Sequence, residues 1–232
     1  MPHDMRQIES RLDTPSTKRY YEEHAESYAR ETGSADLQHV WPLLTKRLAP
    51  ESLILDLGCG AGRDLAYFAK AGFRVIGLDY SLNLLRIAKT VSRQKVVLAD
   101  LGMPPFAPAT FDAVWALASL LHVPRYRIRT VLSDIRGLLK PPGLFLASIR
   151  EGRGERVDER GRYFASYRPV EWEALLAATG FRRIDFRLTK ESRTIASGKA
   201  VEISWLVSLC TTDEAADAPK EVPAWIGIGP AL

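Results

Sequence analysis

The sequence predicts an α/β fold built on a single parallel sheet. Short apolar runs alternate with amphipathic segments of helical spacing through the middle of the chain. Strands that are apolar throughout are typical of a parallel sheet whose two faces are covered by helices. The predicted strands are 52–57, 73–79, 95–99, 111–116 and 144–149, and the predicted helices between them are 63–71, 81–90 and 125–139.

Helix-ending and helix-starting residues stand at the expected element boundaries. Gly72 follows the first predicted helix, and Ser81 is placed to cap the second. The segment Lys140-Pro141-Pro142-Gly143 ends the third, because neither proline nor glycine continues a helix well.

The rest of the chain extends this core. After the fifth strand we expect a charged, glycine-containing loop over 151–162 and a helix over 170–179. A strand from Phe181 and a last strand over 200–210 are expected to pair as an antiparallel edge. The 232 residues suit one domain, with a flexible start over 1–16 and a disordered, proline- and alanine-rich tail over 211–232.

Composition narrows the class of protein. Hydrophobic residues make up 46% and charged residues 26%, as in ordinary globular domains. No apolar run approaches the roughly 18 residues of a membrane span, and the first residues lack an apolar signal core, so we expect a cytoplasmic protein. Cys59 and Cys210 are the only cysteines, and neither they nor the four histidines have metal-ligand spacing. The net charge of +4 comes from arginine-rich stretches, but acidic residues interleave with them.

A glycine-rich turn follows the first strand, in the segment ILDLGCGAGRD over 54–64. Glycines at such a turn let the backbone approach a ligand, and the helix that follows offers free N–H groups. Arg63 stands where a dinucleotide fingerprint needs its third glycine, and the lysine of a P-loop is missing. A tight turn without a ligand is the alternative.

Two further acids end strands. Asp79 ends the second strand, 21 residues after Gly58, where a carboxylate can accept hydrogen bonds from both hydroxyls of a ribose. Asp100 ends the third strand, where it could bond an adenine amine. Capping of the next helix by Asp79 and a turn role for Asp100 are the structural alternatives.

Here the chain resembles the class I S-adenosylmethionine (SAM)-dependent methyltransferases. The resemblance is carried by the ordered segments ILDLGCGAGRD, VIGLDYS, LADLGMPPF, FDAVWALASLLHVP and LLKPPGLFLAS, and it extends from about Tyr20 to Cys210. It implies a Rossmann-like, doubly wound sheet of seven strands in the order 3-2-1-4-5-7-6, with strand 7 antiparallel. It also implies an N-terminal helical lid over 17–50 and a catalytic domain over 51–210 with a substrate-loop insertion at 150–168. Lys140-Pro-Pro-Gly replaces the usual Lys-Pro-Gly-Gly, a change confined to a loop.

The resemblance implies SAM as cofactor and S-adenosylhomocysteine as product. The methionyl part would be held by Asp56 and the backbone around Cys59, and the ribose by Asp79 with Tyr80 beside it. Asp100 and Leu101 would frame the adenine. The complete set of implied cofactor residues is Asp56, Gly58, Cys59, Gly60, Asp79, Tyr80, Asp100, Leu101, Ala116 and Leu117.

Three regions could build the pocket of a small-molecule methyl acceptor. His122 follows the fourth strand and could act as a base with an ordinary pKa near 6.5; a packed histidine is the alternative. Aromatic and arginine side chains of two other regions could bind the acceptor. These are Tyr20 and Tyr21 in the N-terminal segment, and Arg150, Tyr163, Tyr167 and Arg168 in the insertion. Helix packing for the tyrosines and a solvated charged loop for the arginines are the alternatives. For Tyr28 we favour packing.

Other functions are weighed against this one. The fourth-strand segment ALAS lacks the Pro-Pro-aromatic and Pro-Cys motifs of enzymes that methylate DNA bases, so no nucleic-acid partner is expected. A nicotinamide-dependent oxidoreductase would share Asp79, but Arg63 argues against it. A SAM-binding regulator without catalysis remains the alternative from another class, because fold does not prove function.

Overall fold

The computed structural model describes residues 14–194 and 200–213. Seven helices, one 3₁₀ turn at Leu120–His122 and nine strands occur in these ranges. The helices are α1 Thr14–Glu23, α2 Ala25–Gly33, α3 Trp41–Thr45, α4 Arg63–Lys70, α5 Leu82–Ser92, α6 Ile128–Leu138 and α7 Pro169–Ala178. The strands are β1 Leu53–Leu57, β2 Arg74–Asp79, β3 Lys95–Leu98, β4 Phe111–Leu117, β5 Leu139–Glu151, β6 Glu155–Val157, β7 Tyr163–Tyr167, β8 Arg182–Thr194 and β9 Ala200–Thr211.

The main sheet has the order β3-β2-β1-β4-β5-β9-β8. Strands β1 to β5 are parallel, and β9 lies antiparallel between β5 and β8. With β8 and β9 counted as the sixth and seventh strands, this is the predicted Rossmann-like order, and the seventh strand is antiparallel as expected. Most of the predicted flexible start and tail lies outside the described residues, although α1 already begins at Thr14.

A hairpin replaces the charged loop that the sequence predicts over 151–162. Strand β6 pairs antiparallel with β7, and the last two residues of β5 pair parallel with β7. The prediction was wrong because it weighed the charges and not the aromatic side chains of β7, which are buried. The arginines beside them lie over those rings, with the guanidinium carbon of Arg150 4.4 Å from the Phe164 centroid.

The core has two layers, one on each face of the sheet. Helices α6 and α7 cover one face, and α3, α4 and α5 cover the other. A third, smaller cluster joins α1 and α2 to α5 through Tyr20, Tyr21, Ala25 and Leu84. None of the described helices is long and apolar enough to cross a membrane.

Asp64, at the start of α4, links α3 and strand β4 on one face of the sheet. Its carboxylate accepts hydrogen bonds from the indole N–H groups of Trp41 and Trp115, each at 3.0 Å. Arg63 pairs with the same carboxylate and also donates to the carbonyl of Thr32 at the end of α2. Arginine at this position therefore anchors the N-terminal helices to the sheet, a role that no glycine could fill.

We expect Asp64→Ala to destabilise the fold by at least about 2 kcal/mol. The substitution leaves two indole N–H groups without their acceptor, and each unsatisfied buried donor costs about 1–3 kcal/mol. Urea unfolding measures the difference. Asp134→Ala, which removes an exposed carboxylate on α6, is the control and should stay within about 0.5 kcal/mol of the wild type. Equal stability of the two variants would contradict this role for Asp64.

Candidate active site

A cleft of about 720 Å³, part of it open to solvent, lies at the carboxyl ends of the central strands. Helices α1 and α2 contribute to its wall through Tyr21 and Tyr28. Eight residues singled out from the sequence line it: Tyr21, Gly58, Gly60, Asp79, Tyr80, Asp100, Leu101 and His122. Ligands of open α/β sheets bind at this edge, so the cleft is the candidate site.

The glycine turn after β1 has a backbone that other residues would not adopt easily. Gly58 has φ +82°, and a Cβ there would lie 2.4 Å from the Cβ of Ser119. The N–H groups of Gly58 and Cys59 both donate to the carbonyl of Leu78 in β2. The turn is therefore held against the next strand, with its surface facing the cleft.

Asp79 is the hydrogen-bonding centre of this turn. Its Oδ2 accepts the N–H of Gly60 at 2.9 Å, and its Oδ1 accepts the N–H of Ser81 at 2.9 Å. Burial raises the pKa of Asp79 to about 6, although these backbone hydrogen bonds oppose the rise. The carboxylate lines the cleft and keeps lone pairs for a ligand.

Ser81 caps α5 as the sequence predicts, since its hydroxyl accepts the N–H of Leu84 at 3.2 Å. The same hydroxyl donates to the carboxylate of Glu22 at 2.5 Å. Asn83 adds two bonds to Glu22, one to its side chain and one to its carbonyl. The N-terminal helix is thus fastened directly beside Asp79.

Three buried polar atoms near the turn have no hydrogen-bond partner among the described residues: Oδ2 of Asp56, the hydroxyl of Tyr80 and the hydroxyl of Ser119. Burial and the neighbouring charge of Asp64 raise the pKa of Asp56 well above its usual range. Buried polar groups are normally satisfied, so atoms of this kind fit a site that is completed by a polar ligand.

Asp100 occupies the turn after β3. Its Oδ1 accepts the N–H of Gly102 at 2.7 Å, and both residues line the cleft. The turn role and a ligand role are compatible, because a carboxylate has further lone pairs.

His122 is half-buried at the opposite wall, and its hydrogen bonds define its tautomer. Nδ1 lies 2.6 Å from the carbonyl oxygen of Tyr163, which can only accept, so Nδ1 carries the proton. Nε2 lies 2.9 Å from the hydroxyl of Tyr21 and therefore accepts from it. Burial lowers the pKa of His122 to about 4. The ordinary pKa expected from the sequence is wrong, because that expectation took no account of desolvation or of the nearby Arg150 and Arg162.

The remaining residues singled out from the sequence lie outside the lining of the cleft. Asp56, Cys59 and Ala116 are buried, and Leu117 is half-buried as the last residue of β4. The hydroxyl of Tyr20 accepts a hydrogen bond from Arg160, and the hydroxyl of Tyr163 donates one to Glu155. The guanidinium groups of Arg150 and Arg125 lie over the rings of Phe164 and Tyr167, respectively. Arg168 is the residue before α7. Of these residues, Tyr163 contacts the site, because its backbone carbonyl accepts a hydrogen bond from His122.

Several residues that line the cleft were not assigned to it from the sequence, among them Tyr28, Ser119 and Arg127. Tyr28 lies seven residues after Tyr21, a spacing of two helical turns that could have paired them. Strand β4 runs one residue further than predicted, and Ala118 then turns with φ +52°, so Ala118 and Ser119 reach the cleft in place of Ala116 and Leu117. Within residues 14–194 and 200–213, no group of His, Cys, Asp and Glu side chains is arranged to hold a metal ion.

Comparison with known proteins gives consistent results. Residues 55–147 match the methyltransferase domain family. An uncharacterized methyltransferase of Synechocystis sp. is 32% identical over 114 residues, which cover 49% of this chain and 54% of that protein. The 18S rRNA (guanine(1575)-N(7))-methyltransferase of Saccharomyces cerevisiae is 29% identical over 160 residues, covering 60% and 56%. The chain thus spans little more than half the length of these relatives.

A solved structure shares the fold. It is the 1,6-didemethyltoxoflavin-N1-methyltransferase of Burkholderia thailandensis, with bound 1,6-didemethyltoxoflavin and S-adenosylhomocysteine. The TM-score is 0.68, with 23% identity over 86% of this chain and 88% of that one.

The low pKa of His122 predicts a specific loss of stability in acid. The unfolded state takes up a proton near pH 6.5 and the folded state only near pH 4, so stability is present above pH 6.5 and is lost as the pH falls towards 4. The shift amounts to about 3 kcal/mol. His122→Gln removes this contribution, and Asp79, which titrates in the same range, affects both proteins alike.

Urea unfolding at pH 7 and pH 4.5 tests this. The stability difference between wild type and His122→Gln should shrink by about 2 kcal/mol or more at the lower pH. His39→Gln, at an exposed position, serves as the control. A difference that is independent of pH would contradict the account of His122.

Proposed function

We propose that the protein transfers a methyl group from SAM to an oxygen or nitrogen atom of a small molecule. Residues 55–147 match the methyltransferase domain family, and the chain shares the fold of a methyltransferase solved with S-adenosylhomocysteine. The observation that carries the proposal is the arrangement at Asp79. A buried carboxylate already holds the glycine turn and the start of α5, and it still faces the cleft.

The residues present fit the cofactor. Asp79 would accept the two ribose hydroxyls, and Asp100 with Leu101 would frame the adenine. The backbone of Gly58–Gly60 and the unpartnered hydroxyl of Ser119 would surround the methionyl part, with Tyr80 beside the ribose. Asp56 lies behind this lining, and its unpartnered Oδ2 would be its contribution to holding the methionyl part. When bound, SAM supplies an electrophilic methyl group on a positively charged sulfur, and the acids at the strand ends favour that charge.

The chain's contribution to the reaction is alignment and exclusion of water. Helices α1 and α2 close one wall of the cleft, fastened by Glu22 on one side and by Thr17 on the other, where its hydroxyl accepts the N–H of Tyr163. Holding two reactants in line can supply a large part of a rate enhancement. We infer that the segment over 17–50 acts as the lid of this site.

The lining of the cleft supports a small-molecule acceptor. It is mostly apolar, with Leu84, Leu101 and Val123, and it includes a few polar groups, as pockets for small ligands do. The relative that methylates 18S rRNA makes RNA the second candidate acceptor. A protein that binds SAM without transferring its methyl group is the third candidate. A transfer assay with labelled SAM distinguishes these three candidates.

Asp79→Ala should lose SAM affinity by about 100-fold or more. It removes two charge-assisted hydrogen bonds, each worth about 1.5–3 kcal/mol. Titration calorimetry measures the affinity, and circular dichroism checks that the variant is folded. Asp134→Ala should bind as tightly as the wild type. Unchanged affinity in a folded Asp79→Ala variant would remove Asp79 from the site.

Transfer itself is tested with labelled SAM and a cell extract separated into small molecules and RNA. Label in the small-molecule fraction supports the proposal, and label in the RNA fraction favours the second candidate. Binding of SAM with no transfer to either fraction would indicate a binding protein. Absence of SAM binding would overturn the proposed function.

A further inference from the structure

An arginine that was not assigned to the site from the sequence reaches the cleft from the start of α6. Arg127 directly precedes this helix, is half-buried and lines the cleft. Its guanidinium lies against Gly102, where a Cβ would lie 2.8 Å from Nη2 of the arginine. Glycine at position 102 therefore leaves open the space that the guanidinium occupies.

The carboxylate of Asp100 borders the same point. The Cβ position of Gly102 is 3.1 Å from Oδ1 of Asp100, and Oδ1 accepts the N–H of Gly102 at 2.7 Å. Within the described ranges, no hydrogen bond or ion pair joins Asp100 to Arg127, and no other side chain binds the guanidinium. Oδ2 of Asp100 and the donors of Arg127 therefore keep their hydrogen-bonding capacity for a ligand of the cleft.

A ligand that binds both groups must present a donor next to an acceptor. A carboxylate only accepts hydrogen bonds, and a guanidinium only donates them. Adenine has this pattern, because its 6-amino group donates while the ring nitrogens on either side of that group, N7 and N1, accept. A 6-oxopurine has an oxygen in place of the amino group and would bring it against the carboxylate. The pair therefore favours adenine, the base of the proposed cofactor.

The position of Arg127 in the cleft also indicates the base rather than another part of the cofactor. The proposed positions of the ribose and of the methionyl part are at Asp79 and at the glycine turn after β1. Arg127 instead contacts the turn after β3, which the proposed function assigns to the adenine. Val131, one helical turn further along α6, is buried and lines the same part of the cleft, so it offers an apolar surface to the ring.

We propose that Arg127 is a specificity residue for the cofactor: its guanidinium donates a hydrogen bond to N7 or N1 of the adenine, while Asp100 accepts one from the 6-amino group between them. This inference rests on the proposed function and adds a residue to its cofactor site. The base is held from two elements, by the turn after β3 and by the start of α6. SAM and S-adenosylhomocysteine share this base, so the contact applies to both.

Calorimetry of the full chain tests this inference with S-adenosylhomocysteine and its 7-deaza and 1-deaza analogues, in which a C–H group replaces one ring nitrogen. The wild type should bind at least one analogue at least tenfold more weakly than S-adenosylhomocysteine, a readout that needs no variant. Arg127→Met keeps a long side chain and removes the donors. It should lower the affinity for S-adenosylhomocysteine at least tenfold but the affinity for that analogue less than about twofold, and this non-additivity identifies the partner nitrogen.

Arg129→Met, at an exposed arginine of α6, is the control and should bind S-adenosylhomocysteine as the wild type does, and circular dichroism checks that both variants are folded. Unchanged affinity of Arg127→Met for S-adenosylhomocysteine would overturn the inference. An equal loss for all three ligands, or wild-type binding of both analogues as tightly as S-adenosylhomocysteine, would also overturn it, because the arginine would then make no contact with a ring nitrogen. Failure of the wild type to bind S-adenosylhomocysteine would instead overturn the proposed function.

Discussion

The buried carboxylate of Asp79 is the constraint on which the site depends. It lies at the end of β2, where it lines the cleft, and it accepts hydrogen bonds from the N–H groups of Gly60 and Ser81. Through Gly60 it positions the turn after β1, and through Ser81 it positions the start of α5. Desolvating this carboxylate costs stability, as its raised pKa indicates, and backbone donors offset part of that cost.

The N-terminal helices extend the same network across the cleft. Glu22 binds Ser81 and Asn83 on the cofactor side, and Thr17 binds the backbone of Tyr163 on the hairpin side. Tyr163 in turn fixes the tautomer of His122. The two ends of the cleft are therefore linked through α1, which contacts both of them.

Local pattern and turn chemistry allowed much of this to be predicted. The apolar runs predicted β1 to β4 to within one or two residues, and Ser81 was recognised as a cap because its hydroxyl serves a local backbone N–H. Properties that depend on contacts between residues far apart in the chain could not be predicted from local sequence pattern. The low pKa of His122 arises from its desolvation against β7, where its contact Tyr163 lies 41 residues away in sequence. The β6–β7 hairpin depends on aromatic packing that the charged residues of this segment do not reveal.

Hydrogen exchange with and without S-adenosylhomocysteine tests the central claim, that the cofactor binds at Asp79 beneath the N-terminal helices. The account predicts several-fold slower exchange in segments 58–62 and 79–83, which surround the carboxylate, and in segment 16–32, which covers it. Slower exchange at 16–32 would show closure of the lid together with binding. Unchanged exchange at 58–62 and 79–83 in protein that binds the ligand would contradict the account, because the cofactor would then lie elsewhere.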